Sequence, residues 1–318
     1  MGEFTLKPSI SFVVPVFDEA PTLEPLFAQI QDVMQPLKRG NFEVIFIDDG
    51  SRDDSWQKIS ELVRRFPSRV RAARLRRNFG KAQALSVGFH LAVGEVIITM
   101  DADLQDDPRE IPQFLAKLDE GFDLVSGWKY ERHDPLSKTI PSKLFNQVAR
   151  WLSGIPLHDF NCGYKAYRQD VLKAIRVYGE LHRYIPILAD HEGFRIAEIK
   201  VHHNPRTFGK SKYGWKRYVR GFLDLLTVTA TTRYLQRPGH LFGGIGVTFG
   251  LIGFSILTYL TIVWFMGHRI GTRPLLAFGI MLSIIAVQFI SLGLIAELLV
   301  RNADARLEKS LIVEKTGW

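Results

Sequence analysis

The chain has 318 residues, more than one average domain, and its apolar residues are concentrated in the last quarter. Lysine and arginine outnumber aspartate and glutamate by 41 to 33. The resulting net charge of +8 favours anionic partners such as phosphates or lipid surfaces without choosing among them. Cys162 is the only cysteine, which excludes an intrachain disulfide and a zinc site built from cysteines.

The first hundred residues alternate between apolar strand patterns and helix patterns. The patterns predict strands at 10–14, 42–47, 70–75 and 96–100, and helices at 22–37, 55–65 and 81–93. This alternation predicts an α/β domain with a largely parallel sheet and helices on both faces. In open sheets of this kind, ligands bind beyond the carboxyl ends of the strands.

Acidic residues follow three of the predicted strands. Asp101 and Asp103 come after the fourth strand, and their spacing in an extended chain points both carboxylates the same way. Such oxygen ligands suit Mg²⁺ or Mn²⁺, although a lone Asp-x-Asp is also typical of a solvated turn. Asp48 and Asp49 follow the second strand, and residues 18–19 add two more acids after the first. Three acidic clusters at one edge favour a ligand site.

Two long blocks near the C-terminus have the composition of membrane spans. Residues 241–266 carry no charge, and residues 275–300 carry only Glu297. Each block exceeds the roughly 20 residues that cross a bilayer, and the short turn between them predicts an antiparallel hairpin. More lysine and arginine residues lie just outside the hairpin than in its turn, which predicts that both termini are in the cytosol. The preceding stretch, 215–238, interleaves basic and apolar residues, as expected either of a helix in the membrane interface or of one packed on the domain.

The predicted organisation is therefore a cytosolic α/β domain at 1–214, a juxtamembrane segment at 215–238, two spans within 239–301 and a cytosolic tail at 302–318. Small residues in the first span favour close helix packing, which would serve either a homo-oligomer or the hairpin itself. They are Gly243, Gly244, Gly246 and Gly250.

Four motifs in chain order resemble the family-2 glycosyltransferases with the GT-A fold. They are Val14-Pro-Val-Phe-Asp-Glu19, Ile47-Asp-Asp-Gly-Ser51, Asn78-Phe-Gly-Lys81 and Met100-Asp-Ala-Asp-Leu-Gln105. Residues 101–108, 161–168 and 209–213, with the hairpin, are more closely similar to the bactoprenol glucosyltransferases and dolichyl-phosphate mannose synthases. The resemblance implies a Rossmann-like catalytic domain that inverts the sugar carbon, uses Mg²⁺ or Mn²⁺, and transfers a hexose from a nucleotide-sugar to a polyprenyl phosphate.

The same resemblance implies roles for individual residues. Those for the nucleotide-sugar are Pro15, Phe17, Glu19, Asp49, Lys81, Asp101, Arg206 and Lys210. Those for the metal are Asp101, Asp103 and Gln105. Those for the acceptor phosphate are Lys129, Arg132, Lys138, Ser142, Ser211 and Lys212. Asp159 matches the position of the family's catalytic base, and an aspartate that orders its loop is the alternative interpretation. The histidines at 182, 202 and 203 form no metal-ligand pattern and are interpreted as structural.

The predicted reaction is transfer of glucose from UDP-glucose to undecaprenyl phosphate at the cytosolic face of a bacterial plasma membrane. GDP-mannose is the alternative donor, and UDP-N-acetylglucosamine or an aminoarabinose-type donor stays open. A processive polysaccharide synthase is disfavoured because the two predicted membrane helices are too few to build a polymer channel. A non-catalytic membrane scaffold is disfavoured because Asp101, Asp103 and Asp159 are intact. No aromatic-basic recognition motif indicates nucleic acid as a partner.

Overall fold

A computed structural model describes residues 8–37, 41–130, 146–151, 153–175, 181–204 and 238–304. The chain divides into two compact units, Met1–Val228 and Thr229–Trp318, which are described separately below. The predictions for the juxtamembrane segment at 215–237 and for most of the C-terminal tail fall outside the described residues. So do seven predicted site residues: Arg132, Lys138, Ser142, Arg206, Lys210, Ser211 and Lys212.

Seven strands in the described part of the chain form one sheet. They are β1 (Ile10–Val16), β2 (Phe42–Asp48), β3 (Val70–Arg74), β4 (Val96–Thr99), β5 (Leu124–Lys129), β6 (Lys165–Arg168) and β7 (Ile196–Val201). Their order is β3-β2-β1-β4-β6-β5-β7. Strand β6 runs antiparallel to both of its neighbours, and the other pairs are parallel. The predicted, mostly parallel sheet is confirmed.

The helices of the first unit connect these strands. They are α1 (Leu23–Met34), α2 (Ser55–Arg65), α3 (Lys81–Leu91), α4 (Ile111–Asp119), α5 (Gln169–Ala174) and α6 (Ile185–His191). Residues 146–151 are also helical. Short 3-10 turns lie at Ala20–Thr22, Pro108–Glu110 and Leu181–Arg183.

The helices cover both faces of the sheet. Because successive side chains of a strand point to opposite faces, Phe12 and Val14 of β1 pack in one cluster and Val13 in another. The first cluster contains apolar residues of α1, α2 and α4, and the second contains those of α3, α5 and α6. Burial on both faces explains why β1, β2 and β4 read as continuous apolar runs in the sequence.

The register of the parallel strands brings three strand ends together. Val16 pairs with Asp48 at the end of β1 and β2, and Val13 pairs with Thr99 at the end of β4. The loops that leave these strands therefore start at one edge of the sheet. This edge carries all three acidic clusters.

The second unit is an antiparallel pair of helices, α7 (Pro238–Phe265) and α8 (Pro274–Asp304). Both contain a stretch long and apolar enough to cross a membrane, Gly239–Phe265 and Pro274–Leu298. The helices approach closely at glycines: a Cβ atom on Gly246 would lie 2.9 Å from the carbonyl oxygen of Ala286. Gly250 also faces the partner helix, whereas a Cβ atom added to Gly243 or Gly244 would meet no described atom within 4 Å.

Candidate active site

A cavity of about 310 Å³ opens at the edge where β1, β2 and β4 end. Its lining comes from the loops after these strands, from the start of α3 and from the 3-10 turn before α6. The lining residues are Pro15, Val16, Phe17, Glu19, Asp49, Asn78, Gly80, Lys81, Asp101, Ala102, Asp103, His182 and Arg183. The position matches the general rule that open α/β sheets bind ligands beyond their strand ends.

The loop before α3 forms one wall of the cavity, and Asp49 accepts two backbone hydrogen bonds from this loop. One of its carboxylate oxygens accepts the backbone N–H of Phe79 and the other accepts that of Gly80, both at 2.8 Å. Burial of the carboxylate raises the pKa of Asp49 above its ordinary value, although the two N–H groups oppose this shift. Gly80 has φ of 97° directly before Lys81, a conformation that favours glycine. Asp49 thus fixes the turn that presents Lys81.

Lys81 and Asp101 form an ion pair inside the cavity. Burial of Asp101 opposes its ionisation, but Lys81 and then Lys129 outweigh burial and hold the pKa of Asp101 well below its ordinary value. Gly163 lies against the pair, since a Cβ atom there would be 2.7 Å from the Lys81 ammonium and 3.2 Å from an Asp101 oxygen. The absence of a side chain at Gly163 leaves room for the pair.

The loop after Asp101 turns back sharply through Leu104, which has φ of 61°. Such a backbone conformation is unfavourable for a branched side chain and is found mostly where surrounding structure enforces it. Because the chain turns at Leu104, Asp103 lines the cavity and Gln105 does not. The side-chain nitrogen of Gln105 lies 3.3 Å from Nε2 of the His203 ring. The same Gln105 nitrogen donates a hydrogen bond to the carbonyl oxygen of Asn204 at 3.3 Å.

Lys129, at the end of β5, lies next to this loop. Its ammonium is 3.3 Å from Asp106 Oδ1. Burial alone would lower the pKa of Lys129, but the neighbouring carboxylates, Asp106 foremost, raise it above its ordinary value. Asp101 and Asp159 are among those carboxylates. Lys129 is therefore a partly buried cation among acids.

Asp159 is buried, with 1% of its surface exposed. Its Oδ1 accepts the backbone N–H of Asn161 at 3.0 Å, so the side chain also orders its own loop. The far end of this loop is held by the buried Lys165, whose ammonium donates to the carbonyl oxygen of Cys162. Burial lowers the pKa of Lys165. Both interpretations of Asp159, base and loop former, are compatible with this arrangement.

The structure brings most of the predicted site residues within the described part of the chain to one cavity. Of the eight residues predicted to bind the nucleotide-sugar, the six that the structure describes line it: Pro15, Phe17, Glu19, Asp49, Lys81 and Asp101. Asp103 lines it as well, whereas Gln105, Lys129 and Asp159 are not part of its lining. The roles of these residues stay predictions.

Sequence reasoning assigned no site role to three polar lining residues, Asn78, His182 and Arg183. Arg183 is buried, and His182 lies close enough to Asp101 to contribute to its low pKa. His182 was interpreted as structural because it forms no metal-ligand spacing. Its position at the cavity depends on the packing of the 3-10 turn Leu181–Arg183 near α3, for which the local sequence offers no signal.

Comparison with known proteins agrees with this geometry. The profile of "Glycosyl transferase family 2" matches residues 11–176. A dodecaprenyl-phosphate galacturonate synthase of Rhizobium johnstonii is 39% identical over 92% of this chain and 88% of the relative. An undecaprenyl-phosphate 4-deoxy-4-formamido-L-arabinose transferase of Shewanella sediminis is 36% identical over 96% of this chain and 91% of the relative.

The fold is also that of solved glycosyltransferase structures. A glucosyl-3-phosphoglycerate synthase from Mycobacterium tuberculosis, in complex with Mn²⁺, UDP and phosphoglyceric acid, superimposes with a TM-score of 0.51. The match covers 71% of this chain and 78% of that chain at 20% identity, which establishes the shared GT-A fold. The catalytic fold and the two candidate spans predicted from sequence are confirmed. With a family profile over half of its length and relatives aligned over nine-tenths of it, the chain belongs to glycosyl transferase family 2.

Proposed function

We propose that this glycosyltransferase moves a sugar from a nucleotide-sugar to a polyprenyl phosphate with the help of a divalent cation. The observation that carries the proposal is the cavity at the strand ends, which collects Phe17, Lys81, Asp101 and Asp103 in a family 2 domain. The lipid acceptor is supported by the names of relatives aligned over nine-tenths of the chain. Two apolar helices that can hold the enzyme at a membrane give further support.

For the donor, the cavity offers apolar walls and basic side chains that suit a diphosphate. Phe17 and Pro15 line the part of the cavity next to β1, where they can pack on a nucleobase. Arg183 and His182 line it near Asp101, where they can approach a diphosphate. UDP is the proposed nucleotide, since UDP is the nucleotide in the complex of the mycobacterial synthase.

The identity of the sugar is a separate proposal. The sequence favoured UDP-glucose, with GDP-mannose as the alternative. The relatives are named for galacturonate and for 4-deoxy-4-formamido-L-arabinose instead. We therefore place UDP-galacturonate first among the donors to be tested, followed by the formamido-arabinose donor and UDP-glucose.

The residues beside the cavity fit a hard divalent cation as part of its ligand shell. Asp101, Asp103 and Gln105 offer the carboxylate and amide oxygens that Mg²⁺ and Mn²⁺ prefer. Within the described residues, no group of three or more His, Cys, Asp or Glu side chains could hold a metal. Diphosphate oxygens and waters would therefore complete the shell. When bound, the cation would stabilise the negative charge of the departing nucleoside diphosphate.

The proposed reaction is a direct displacement. An oxygen of the acceptor phosphate forms a bond to the anomeric carbon while the bond between that carbon and the diphosphate oxygen breaks. A phosphate monoester has a second pKa near 6, so it is largely ionised at neutral pH and needs little help from a base. Lys129 would attract and orient the acceptor phosphate, and Asp159, as the base, would accept any proton that remains on the phosphate as it attacks. The predicted contributions of Arg132, Lys138, Ser142, Ser211 and Lys212 stay proposals.

The membrane arrangement follows from the same reaction. The donor is soluble and the acceptor is a lipid, so a catalytic domain joined to two membrane helices reaches both. The excess of basic residues outside the hairpin supports a cytosolic domain with both termini on that side of a bacterial plasma membrane.

The direct test is transfer of radiolabelled sugar into organic-extractable undecaprenyl phosphate by the full chain. The donors are UDP-galacturonate, the UDP-linked formamido-arabinose, UDP-glucose and GDP-mannose, each with Mg²⁺, Mn²⁺ or EDTA. We expect labelled lipid from one UDP-sugar, its loss in EDTA, and its loss in Asp103→Asn. Asp170→Asn is the matched control because Asp170 is an exposed side chain on α5.

Two negative results would have different meanings. Folded protein that binds UDP but labels no lipid with any of these donors would refute the proposed transfer of these sugars to undecaprenyl phosphate. Folded protein that binds no nucleotide with either metal would refute the enzyme and favour a scaffold that retains the fold.

A further inference from the structure

Glu198, on β7, makes three short contacts with the loop that carries Asp159. One of its oxygens, Oε1, accepts the backbone N–H of His158 at 2.8 Å and that of Asp159 at 2.9 Å. The other, Oε2, lies 2.7 Å from Nδ1 of the His158 ring. A proton on Nδ1 makes this third contact a hydrogen bond to the carboxylate. The side chain of Glu198 is 10% exposed.

The surroundings of His158 add to this hold on the loop. Its ring stacks on Trp128 of β5, with ring centroids 4.0 Å apart and an angle of 13° between the planes. Trp128 pairs in register with Lys200, two residues after Glu198 on β7. The loop is therefore attached to two adjacent strands, β5 by stacking and β7 by the carboxylate of Glu198.

The next residue along β5 from Trp128 is Lys129, and the charge of Asp159 is one of the causes that raise the pKa of Lys129. Strand neighbours point to opposite faces, so Trp128 contacts the His158 ring while Lys129 reaches Asp106. The position of the 158–159 backbone thus determines where Asp159 lies relative to Lys129. A carboxylate that is only 10% exposed and faces three donors is well suited to fix that backbone.

We infer that Glu198 is a positioning residue for sugar transfer: its carboxylate fixes the backbone of His158 and Asp159 and so sets Asp159 in place beside Lys129. The inference rests on the proposed function, in which Asp159 and Lys129 handle the acceptor. It assigns no contact between Glu198 and substrate.

The test compares Glu198→Ala, Glu198→Gln, Asp159→Asn and the double variant Glu198→Ala/Asp159→Asn in the full chain. For Glu198→Ala we expect kcat to fall by roughly 10- to 100-fold, the usual cost of misplacing a reacting group by about 1 Å. The donor KM should stay within about twofold, because Glu198 does not line the donor cavity. Glu198→Gln should recover much of kcat, since its amide oxygen can accept the same two N–H bonds. Glu120→Ala, at the exposed residue that follows α4, is the matched control.

The double variant separates positioning from mere stabilisation of the fold. If Glu198 acts through Asp159, the double variant should be no slower per folded molecule than Asp159→Asn alone. Losses that multiply would overturn the inference, as would full activity in Asp159→Asn or in Glu198→Ala.

A second measurement does not depend on activity. Hydrogen exchange should show protected amides at residues 158–159 in the wild type and in Glu198→Gln, and faster exchange there in Glu198→Ala. Unchanged protection in Glu198→Ala would overturn the inference. Wild-type protein that transfers no sugar would count against the proposed function alone, because the exchange result still judges the contact between Glu198 and the loop.

Discussion

Removal of the Asp49 carboxylate should weaken both the fold and donor binding. In Asp49→Ala, the backbone N–H groups of Phe79 and Gly80 lose their acceptor at 2.8 Å. Phe79 is half exposed, so water can replace part of each bond, and we take the low end of the usual range, about 1 kcal/mol per bond. The expected loss of unfolding free energy is then about 2 kcal/mol, or roughly 4 to 8 °C in melting temperature for a domain of this size.

The same substitution should raise the donor KM because the turn that it loosens presents Lys81. Loss of one charge-assisted contact to a phosphate is worth about 1.4 kcal/mol, which corresponds to roughly tenfold in KM. Asp49→Asn should recover no more than half of the unfolding free energy lost in Asp49→Ala. The asparagine oxygen can accept one of the two backbone N–H groups, but its NH₂ group then faces the second N–H and cannot accept it.

The assay is a thermal melt of the full chain in detergent, followed by donor kinetics on the folded fraction, with Asp170→Ala as the control. A melting temperature within about 1 °C of wild type would refute the reasoning on stability. If that result came with a raised KM, Asp49 would contact the donor itself, as the sequence resemblance implied, rather than act through the turn.

Three further predictions concern other parts of the molecule. Because Lys81 holds the pKa of Asp101 below its ordinary value, the stabilisation by this ion pair is present above about pH 4 and is lost only as pH falls through the lowered value. Lys81→Met should therefore lower the melting temperature equally at pH 5 and pH 8, and a loss confined to one pH would contradict this. Gly253→Val should destabilise the hairpin, since a Cβ atom at 253 would lie 2.8 Å from Ser283 Oγ; an unchanged thermal melt of the helices would disprove the close approach. Burial raises the pKa of Cys162 to about 12, so maleimide at pH 8 should label the chain only after denaturation, and rapid labelling of folded protein would refute its burial.

The strands that build the site could be predicted because their sequences are locally unambiguous. β1, β2 and β4 are buried on both faces, so each reads as an apolar run that ends in acids. Parallel pairing then requires the ends to meet, which brought Asp49 and Asp101 to one cavity. The positions of these residues followed from periodicity and topology alone.

Other features depend on contacts between distant parts of the chain. β6 has only four residues, Lys165–Arg168, and its placement between β4 and β5 is set by pairing on both sides. The backbone at Leu104 contradicts the local preference of leucine, so no rule based on propensity predicts the turn after Asp103. Glu198 reads as one acid in an edge strand, and its role emerges only when the loop at 158 lies against it.

The charges around the cavity explain why a cation belongs in the proposed reaction. Among the described residues, the lining has four carboxylates against two cationic side chains. The carboxylates are Glu19, Asp49, Asp101 and Asp103, and the cations are Lys81 and Arg183. One cation is already paired with Asp101, and Asp49 is balanced only by backbone N–H groups.

A nucleoside diphosphate entering this cavity would meet more negative than positive charge, and the low polarisability of a partly buried site strengthens that repulsion. A divalent cation between Asp103 and the diphosphate reverses the balance, so metal and donor should bind with positive coupling rather than independently. Donor binding that is equally tight in EDTA would mean that the basic side chains of the protein alone outweigh the four carboxylates. The electrostatic reason for the metal would then fail even if the reaction itself were observed.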